Sequence, residues 1–174
     1  MSVGISKALK VRGWMGEQEL RFLAHAAAEC ETIIELGTYR GRSTRAMLDC
    51  SSAHIWCVDT WDYKICTEKD LRIFKEQVIS DMLDRVTIMQ MTTREALEVL
   101  RGKLFDMVFI DAGHSYENAK FDILGYRPLV KPGGIYCGHD YYITPFPGVY
   151  EAVNELVPDF KLEGIIWWTR IPQA

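Results

Sequence analysis

Short apolar runs alternate along the chain with segments whose apolar residues recur at helical spacing. The apolar runs predict buried strands at 32–34, 54–58, 85–90, 105–110 and 135–137. The spaced segments predict helices at 17–29, 44–48, 66–84, 93–101 and 116–130. A short helix at 148–157 and two short strands at 160–162 and 165–169 complete the pattern. Strands that alternate with helices in this way predict an α/β fold, with a mainly parallel, doubly wound sheet between two layers of helices.

The pattern also predicts how the chain is divided. No linker, repeat or low-complexity tract interrupts the 174 residues, which predicts a single domain over 1–174. Residues 1–31 are expected to form a helical segment that packs on this domain. Lys-Pro-Gly-Gly at 131–134 predicts a turn before the fifth strand. Trp14 and Met15 precede the first helix and would anchor its start or cover a ligand.

Residues 32–44, TIIELGTYRGRST, combine a strand, a glycine loop and a helix start. Gly37 and Gly41 can adopt positive φ and allow a ligand to approach the backbone. Ser43 is predicted to cap the following helix, because a serine hydroxyl can accept a hydrogen bond from a free amide there. A strand, a glycine loop and a helix in this order form the first half of a mononucleotide-binding unit.

The glycine spacing and the charge of this loop narrow the choice of ligand class. Neither G-x-G-x-x-G nor G-x-x-x-x-G-K-[ST] is present. Glu35 at the strand end would repel a pyrophosphate and attract a ligand with a sulfonium and an ammonium group. Arg40 and Arg42 would favour phosphate instead, and an ordinary loop with a surface glutamate is a further alternative.

Asp59 ends the second predicted strand, 22 positions after Gly37. An acid at this place in such a unit accepts hydrogen bonds from the two ribose hydroxyls of a nucleoside. Alone, Asp59 would more simply be a helix cap. The glycine loop upstream makes the nucleoside interpretation the better one.

Further polar residues fall at the ends of the fourth and fifth predicted strands. Asp111 follows the fourth strand, His114 lies in the turn after it, and His139 and Asp140 follow the fifth. Parallel strands end at one edge of a sheet, and ligands bind at that edge near the point where the strand order reverses. These residues are therefore expected to lie together.

Composition excludes several classes of protein. The net charge of −4 and the pI near 5.6 argue against a nucleic-acid or anionic-membrane partner. No apolar run reaches the roughly 20 residues of a membrane-spanning helix, and the N-terminus shows no secretion signal. Five cysteines without a C-x-x-C pair predict reduced thiols and a cytoplasmic location.

Five motifs together resemble one known family. They are ELGTYRGRST, VDTW, FDMVFIDAGHSYE, LVKPGGIYCGHDY and PGVYEAVNE, and they span roughly residues 14–170 in the family order. The chain is similar to class I S-adenosylmethionine-dependent methyltransferases, and more narrowly to small O-methyltransferases of the catechol and macrolide-sugar type. This resemblance implies a seven-stranded sheet of order 3-2-1-4-5-7-6 whose last strand is antiparallel.

The resemblance also implies a set of cofactor contacts. The amino acid end of S-adenosylmethionine would lie among Glu35, Gly37, Tyr39, Gly41 and Ser43. The ribose would lie at Asp59 and the adenine near Thr93 and Arg94, and Thr60 and Asp111 would also contact the cofactor.

In the metal-dependent branch of this family, an acid after strand four and a pair of oxygen ligands after strand five bind the ion. Asp111 matches the first, and His139 and Asp140 occupy the pair, where His139 replaces the usual aspartate. Carboxylates suit Mg²⁺, whereas an imidazole shifts the preference towards Mn²⁺, Fe²⁺ or Zn²⁺, or means that no metal binds. His114 lies where the catechol enzymes have a catalytic lysine.

Two mechanisms and three functions follow as hypotheses. Either a metal activates a substrate hydroxyl, or His114 or His139 removes its proton. His114 could instead cap the next helix, and His139 could be a hydrogen-bonded residue behind the site. O-methylation of a small phenol or sugar is the preferred function, with a nicotinamide oxidoreductase or a non-catalytic nucleoside-binding protein as alternatives. Tyr141, Tyr142, Phe146 and Pro147 follow the fifth strand and are expected to form an aromatic wall for the acceptor. The protein is also expected to bind a second copy of itself as one of its partners, forming a homo-oligomer.

Overall fold

The computed structural model of the protein describes residues 4–142 and 144–173. The strands are β1 (Thr32–Leu36), β2 (His54–Asp59), β3 (Val86–Gln90), β4 (Phe105–Ile110), β5 (Val130–Gly138), β6 (Lys161–Glu163) and β7 (Ile166–Arg170). The α-helices are α1 (Glu17–Ala27), α2 (Arg42–Cys50), α3 (Glu68–Ile73), α4 (Thr93–Val99), α5 (Tyr116–Tyr126) and α6 (Pro147–Leu156). No helix in the described part is both long and apolar enough to cross a bilayer.

The strands form one sheet of order β3-β2-β1-β4-β5-β7-β6. Strands β1 to β5 run parallel, and β7 pairs antiparallel with both β5 and β6. The order reverses between β1 and β4, which places the switch point at the ends of these two strands. The fold class and the strand order expected from the sequence are confirmed.

Two hydrophobic layers cover the two faces of the sheet. Leu20 and Leu23 of α1 pack with Phe74 on one face, where α1, α2 and α3 lie. Tyr126 of α5 and Val153 of α6 pack on the other face with α4. Because both faces are covered, the central strands read as continuous apolar runs, as the sequence predicted.

The predicted turn at 131–134 is wrong. The four residues belong to β5, where they bulge opposite Asp106 between the pairs Phe105–Val130 and Met107–Ile135. Gly133 takes a φ of 77° there. A Lys-Pro-Gly-Gly sequence suits a bulge as well as a turn, because both need glycine at positive φ.

The predicted helix over 66–84 is also too long. Helix α3 ends at Ile73 and continues as one π-helical turn over Phe74–Val78, and a separate 3₁₀ turn covers Leu83–Arg85. In the N-terminal segment, a 3₁₀ turn at Ala8–Lys10 precedes α1. The expectation of a helical segment over 1–31 extends to residues 1–3, which lie outside the described residues.

Candidate functional site

The ends of the central strands are joined by backbone hydrogen bonds just beyond the sheet. The Gly37 amide donates to Val58 O at 2.8 Å, and the Asp111 amide donates to Leu36 O at 2.7 Å. The His139 amide donates to Ile110 O at 2.9 Å. These bonds extend the pairing by one residue and hold the residues after β1, β4 and β5 at one edge.

Positive backbone angles define the glycine loop after β1. Gly37, Tyr39 and Gly41 have φ angles of 88°, 51° and 77°. A methyl group at Gly37 would overlap the backbone carbonyl of Asp111, and one at Gly41 would overlap the ring of Phe74. The loop therefore needs both glycines to pack against its own protein, in addition to any need for ligand access.

Ser43 does not cap helix α2, which corrects the sequence prediction. The helix begins two residues earlier than predicted, at Arg42, directly after Gly41. The Ser43 and Thr44 hydroxyls both donate to the carboxylate of Glu35, and the Thr38 hydroxyl contacts it at 3.3 Å. The hydroxyl that suits a helix cap thus binds a buried acid instead.

Glu35 is fully buried beneath the glycine loop. Burial raises the pKa of this carboxyl to about 7, and the hydrogen bonds from Ser43 and Thr44 partly oppose the rise. Glu35 would therefore attract a cationic ligand from beneath the loop and not by direct contact. Near neutral pH its carboxyl is only partly ionised, which weakens this attraction. The direct structural effect of Glu35 is to tie the strand end to the first turn of α2.

The carboxylate of Asp59 holds the loop from the neighbouring strand. One oxygen accepts hydrogen bonds from the amides of Thr38 and Tyr39 at 3.0 and 2.8 Å. The other accepts from the Trp61 amide at 3.0 Å. The Cys66 thiol also donates to this second oxygen, at 3.3 Å. These bonds fix the loop on the end of β2, and because four donors fill the carboxylate, a ribose hydroxyl would have to displace the weak thiol donor.

The other expected cofactor contacts lie near the same edge. Tyr39 packs against Trp14, with ring centroids 4.9 Å apart. The backbone of Thr60 follows β2 immediately, and Thr93 begins α4 after β3. Arg94 lies over the ring of Phe121 on α5, at 3.8 Å from its centroid. Its guanidinium is therefore engaged between two helices.

Four side chains converge at the ends of β4 and β5. His139 Nδ1 lies 3.5 Å from Asp111 Oδ1 and 3.3 Å from Asp140 Oδ1. His114 Nε2 lies 2.8 Å from Asp140 Oδ2. The sequence placed all four at one edge, and the structure brings them into direct contact.

His139 is the buried member of this cluster, with 6% of its surface exposed. Burial opposes its charge, but Asp111, Asp140 and Glu19 outweigh that effect and raise its pKa to about 12. Glu19 lies on α1, and its Oε1 is 3.4 Å from His139 Nε2. Sequence reasoning missed Glu19, whose local role is to accept the Gly16 amide at the start of α1 at 2.6 Å.

His114 is the accessible member of the cluster, since 41% of its side chain is exposed. It stacks on Phe146 with centroids 4.1 Å apart. The hydrogen bond with Asp140 raises the pKa of His114 in spite of partial burial. His114 does not cap α5, because Ser115 does so by accepting the Asn118 amide.

The aromatic residues expected to form an acceptor wall do not pack together as one surface. Phe146 lies on His114, whereas the hydroxyl of Tyr141 is within 3.3 Å of Asn154 and its ring packs on Tyr150 and Phe160. Tyr142 is 48% exposed. Phe146 is therefore the aromatic residue of this group that borders the cluster.

The donor atoms of Asp111, His139 and Asp140 fit a divalent cation. They all lie within 4.8 Å of one another. Neighbouring ligands of a six-coordinate ion with bonds of about 2.1–2.2 Å lie roughly 3 Å apart, close to the His139–carboxylate distances above. Two carboxylates and one imidazole suit Mn²⁺ well and Mg²⁺ acceptably.

Comparison with known proteins identifies the family. The chain belongs to the methyltransferase-domain family, whose model matches residues 34–141. The fold and this family define a class I S-adenosylmethionine-dependent methyltransferase, which confirms the resemblance drawn from the sequence motifs. No curated protein matches the chain in sequence.

Solved structures share the fold at low sequence identity. The O-methyltransferase from Bacillus cereus in complex with S-adenosylhomocysteine is 17% identical with a TM-score of 0.72, over 96% of this chain and 86% of that one. A putative caffeoyl-CoA O-methyltransferase from Staphylococcus aureus is 17% identical with a TM-score of 0.73, over 91% and 85%. CalS11, a TDP-rhamnose 3′-O-methyltransferase of calicheamicin biosynthesis, is 15% identical with a TM-score of 0.68, over 87% and 76%.

Proposed function

We propose that the protein transfers the methyl group of S-adenosylmethionine to a hydroxyl oxygen of a small molecule. The observation that carries this proposal is the cluster of Asp111, His114, His139 and Asp140 beside the glycine loop. Gly37 packs on the backbone of Asp111, so a methionine sulfonium over the loop would have these side chains within reach.

His114 is proposed as the general base. Asp140 orients its ring through Nε2 and favours the imidazolium that forms. During transfer, the hydroxyl oxygen forms a bond to the methyl carbon while the carbon–sulfur bond breaks, and His114 receives the hydroxyl proton. His139 is unsuited to this role, since the surrounding carboxylates hold it protonated. In the protein without an ion, its positive charge balances Asp111 and Asp140.

Asp111, His139 and Asp140 are proposed to hold a Mg²⁺ or Mn²⁺ ion. Only a neutral imidazole coordinates a metal, so His139 would release its proton on binding, and the ion would then balance the two carboxylates. Such an ion, when bound, supplies Lewis-acid polarisation of the acceptor hydroxyl. The proposed cofactor contacts remain those of the glycine loop, of Asp59 for the ribose, of Thr93 and Arg94 for the adenine, and of Thr60. Phe146 on His114 offers an apolar face for a phenol or sugar ring.

The acceptor classes follow from the solved structures as a proposal. One of the similar proteins is named for caffeoyl-CoA and another for TDP-rhamnose, so both a phenol and a sugar hydroxyl deserve testing. Tritiated S-adenosylmethionine should be incubated with catechols, hydroxycinnamoyl esters and nucleotide sugars, each beside its counterpart already methylated at oxygen. Label should pass only to acceptors with the free hydroxyl. Transfer to an amine or thiol in preference to every hydroxyl would refute O-methylation.

A further inference from the structure

Residues 146–148, which we call the α6 start, lie directly against the turn that carries His114. The last two of these residues open the sequence PGVYEAVNE, to which the proposed reaction assigns no role. A methyl group on Gly148 would overlap the amide nitrogen of Tyr116 and would lie 2.9 Å from the carbonyl oxygen of His114. The backbones of α6 and of the turn are therefore in contact, and only glycine permits so close an approach.

The ring of Phe146 lies over one face of the His114 imidazole. The two ring centroids are 4.1 Å apart, and the ring planes are inclined by 18°. At the edge of the imidazole, Asp140 Oδ2 lies 2.8 Å from Nε2. A hydrogen bond at one atom leaves a ring free to turn about that bond, whereas contact over a whole face opposes the turning. Phe146 and Asp140 therefore restrain different motions of His114.

Helix α6 holds its first residues at a fixed place beside this turn. Val149 and Val153 pack in the hydrophobic layer that α6 shares with α5. Near the end of α6, the carboxylate of Glu155 accepts hydrogen bonds from the Tyr116 hydroxyl and from Lys120 Nζ, the latter at 3.3 Å. Because α6 is attached to α5 along its length, the ring of Phe146 is presented to His114 from a rigid element.

The proposed proton transfer depends on the direction of one nitrogen atom of His114. Since Nε2 faces Asp140, Nδ1 is the nitrogen left to accept the proton of the acceptor hydroxyl. A general base must lie within about 2.6–3.2 Å of the atom that gives up the proton, and a misplacement of about 1 Å can cost roughly 10²-fold in rate. An exposed histidine held at one atom alone would not keep Nδ1 in such a place.

We propose that Phe146 and Gly148 are positioning residues for His114. Phe146 holds the plane of the imidazole, and Gly148 lets the α6 start come close enough for the two rings to stack. This inference rests on the proposed function, because it explains how that reaction keeps its base in place. The role differs from that of an acceptor wall, which acts on substrate binding and leaves the direction of Nδ1 unchanged.

The first test observes the ring of His114 and needs neither cofactor nor acceptor. An aromatic ring stacked on the imidazole shifts its carbon-bound protons upfield, and ¹H–¹³C NMR of the full chain measures this shift, with His114→Ala to assign the signal. Phe146→Tyr should keep the shift, whereas Phe146→Leu should abolish it and Gly148→Ala should reduce it. Tyr150→Ala removes a ring of α6 that packs on Tyr141 instead, and it should leave the signal unchanged. Equal His114 shifts in wild type and Phe146→Leu would overturn the proposal.

The second test separates positioning from substrate binding. With a hydroxyl acceptor that the wild type methylates, Phe146→Leu and Gly148→Ala should lower kcat by about tenfold or more and leave the KM for S-adenosylmethionine within about twofold. Phe146→Tyr should retain the wild-type kcat because it keeps the flat ring, and Tyr150→Ala should retain it as well. A higher acceptor KM at unchanged kcat would make Phe146 an acceptor wall only and would refute the positioning role. If the wild type methylates no hydroxyl, the proposed function fails, and the NMR comparison alone then decides whether Phe146 and Gly148 hold His114.

Discussion

Gly37 and Asp111 are in backbone contact: a methyl group on Gly37 would overlap the carbonyl oxygen of Asp111. The contact joins the glycine loop after β1 to the end of β4 across the switch point of the sheet. It leaves no room for a side chain, and the φ of 88° at Gly37 adds a second reason for glycine.

Gly37→Ala should therefore destabilise the protein by about 3 kcal/mol or more, from backbone strain of about 1–2 kcal/mol plus the cost of displacing the Asp111 backbone. Gly102→Ala is a matched control, because Gly102 has a φ of 79° and open space around it. It should cost only the strain. Urea unfolding measures both, and equal losses would show that the contact with Asp111 contributes nothing.

The carboxyl of Glu35 should make stability depend on pH. Its folded-state pKa of about 7 lies above the ordinary value of 4.5, because burial disfavours the charge. The folded protein thus holds this proton more tightly than the unfolded chain. The contribution of Glu35 to the free energy of unfolding is therefore constant below pH 4.5. As the pH rises from 4.5 to 7, this contribution falls by about 3 kcal/mol in all.

Glu35→Gln removes this titration. Between pH 4 and pH 8, the wild type should therefore lose unfolding free energy that the variant keeps, so the variant should gain stability relative to the wild type. Urea unfolding at several pH values measures the shift. The exposed Glu76→Gln serves as control and should keep the wild-type pH dependence. A constant difference for Glu35→Gln would mean that Glu35 stays ionised in the folded protein.

Asp59→Ala should weaken binding of S-adenosylhomocysteine by about 1–3 kcal/mol, since charged acceptors for the ribose are lost and the loop amides of Thr38 and Tyr39 lose their partner. The exposed Asp62→Ala in the same segment should have little effect. Calorimetry of both variants and the wild type checks this. NAD should not bind comparably, and unchanged affinity in Asp59→Ala would remove Asp59 from the cofactor site.

One Mn²⁺ ion should bind to the protein at the carboxyl edge of the sheet. Asp111→Asn or Asp140→Asn should each weaken it more than tenfold, because each removes a charged ligand of the proposed set. Electron paramagnetic resonance of free Mn²⁺ in a titration measures the affinity. Asp62→Asn should behave as the wild type does, and a wild-type protein that leaves millimolar Mn²⁺ free would rule this ion out.

His114→Ala should lower kcat by about 10²–10⁴ with any accepted hydroxyl substrate, as expected for loss of a general base. His25→Ala replaces an exposed histidine on α1 and should retain full activity. Initial rates with tritiated S-adenosylmethionine measure the effect, and calorimetry shows whether the cofactor still binds. Full activity of His114→Ala would exclude proton transfer to His114.

The candidate site shows where sequence reasoning succeeds and where it fails. Asp59, Asp111, His114 and Asp140 were placed at one edge because parallel strands end together, which needs only the positions of the strand ends. Glu19 was missed, since its contact with His139 joins positions 120 residues apart and its local pattern indicates only a helix start. The attachment of the N-terminal segment to the glycine loop likewise depends on Arg42, whose bonds to Leu9 and Val11 leave no trace in the spacing of charges.

By itself, the sequence determined the α/β class, the strands, most of the helices and the edge of the sheet that carries the polar residues. It could do so because periodicity reports the burial of each element, and burial acts on every residue of an element at once. Tertiary structure alone decided that Lys-Pro-Gly-Gly bulges within β5 and that Ser43 binds Glu35 instead of capping α2. It also decided which histidine stays accessible. Each of these choices depends on a partner distant in sequence, and local preferences permit both alternatives about equally.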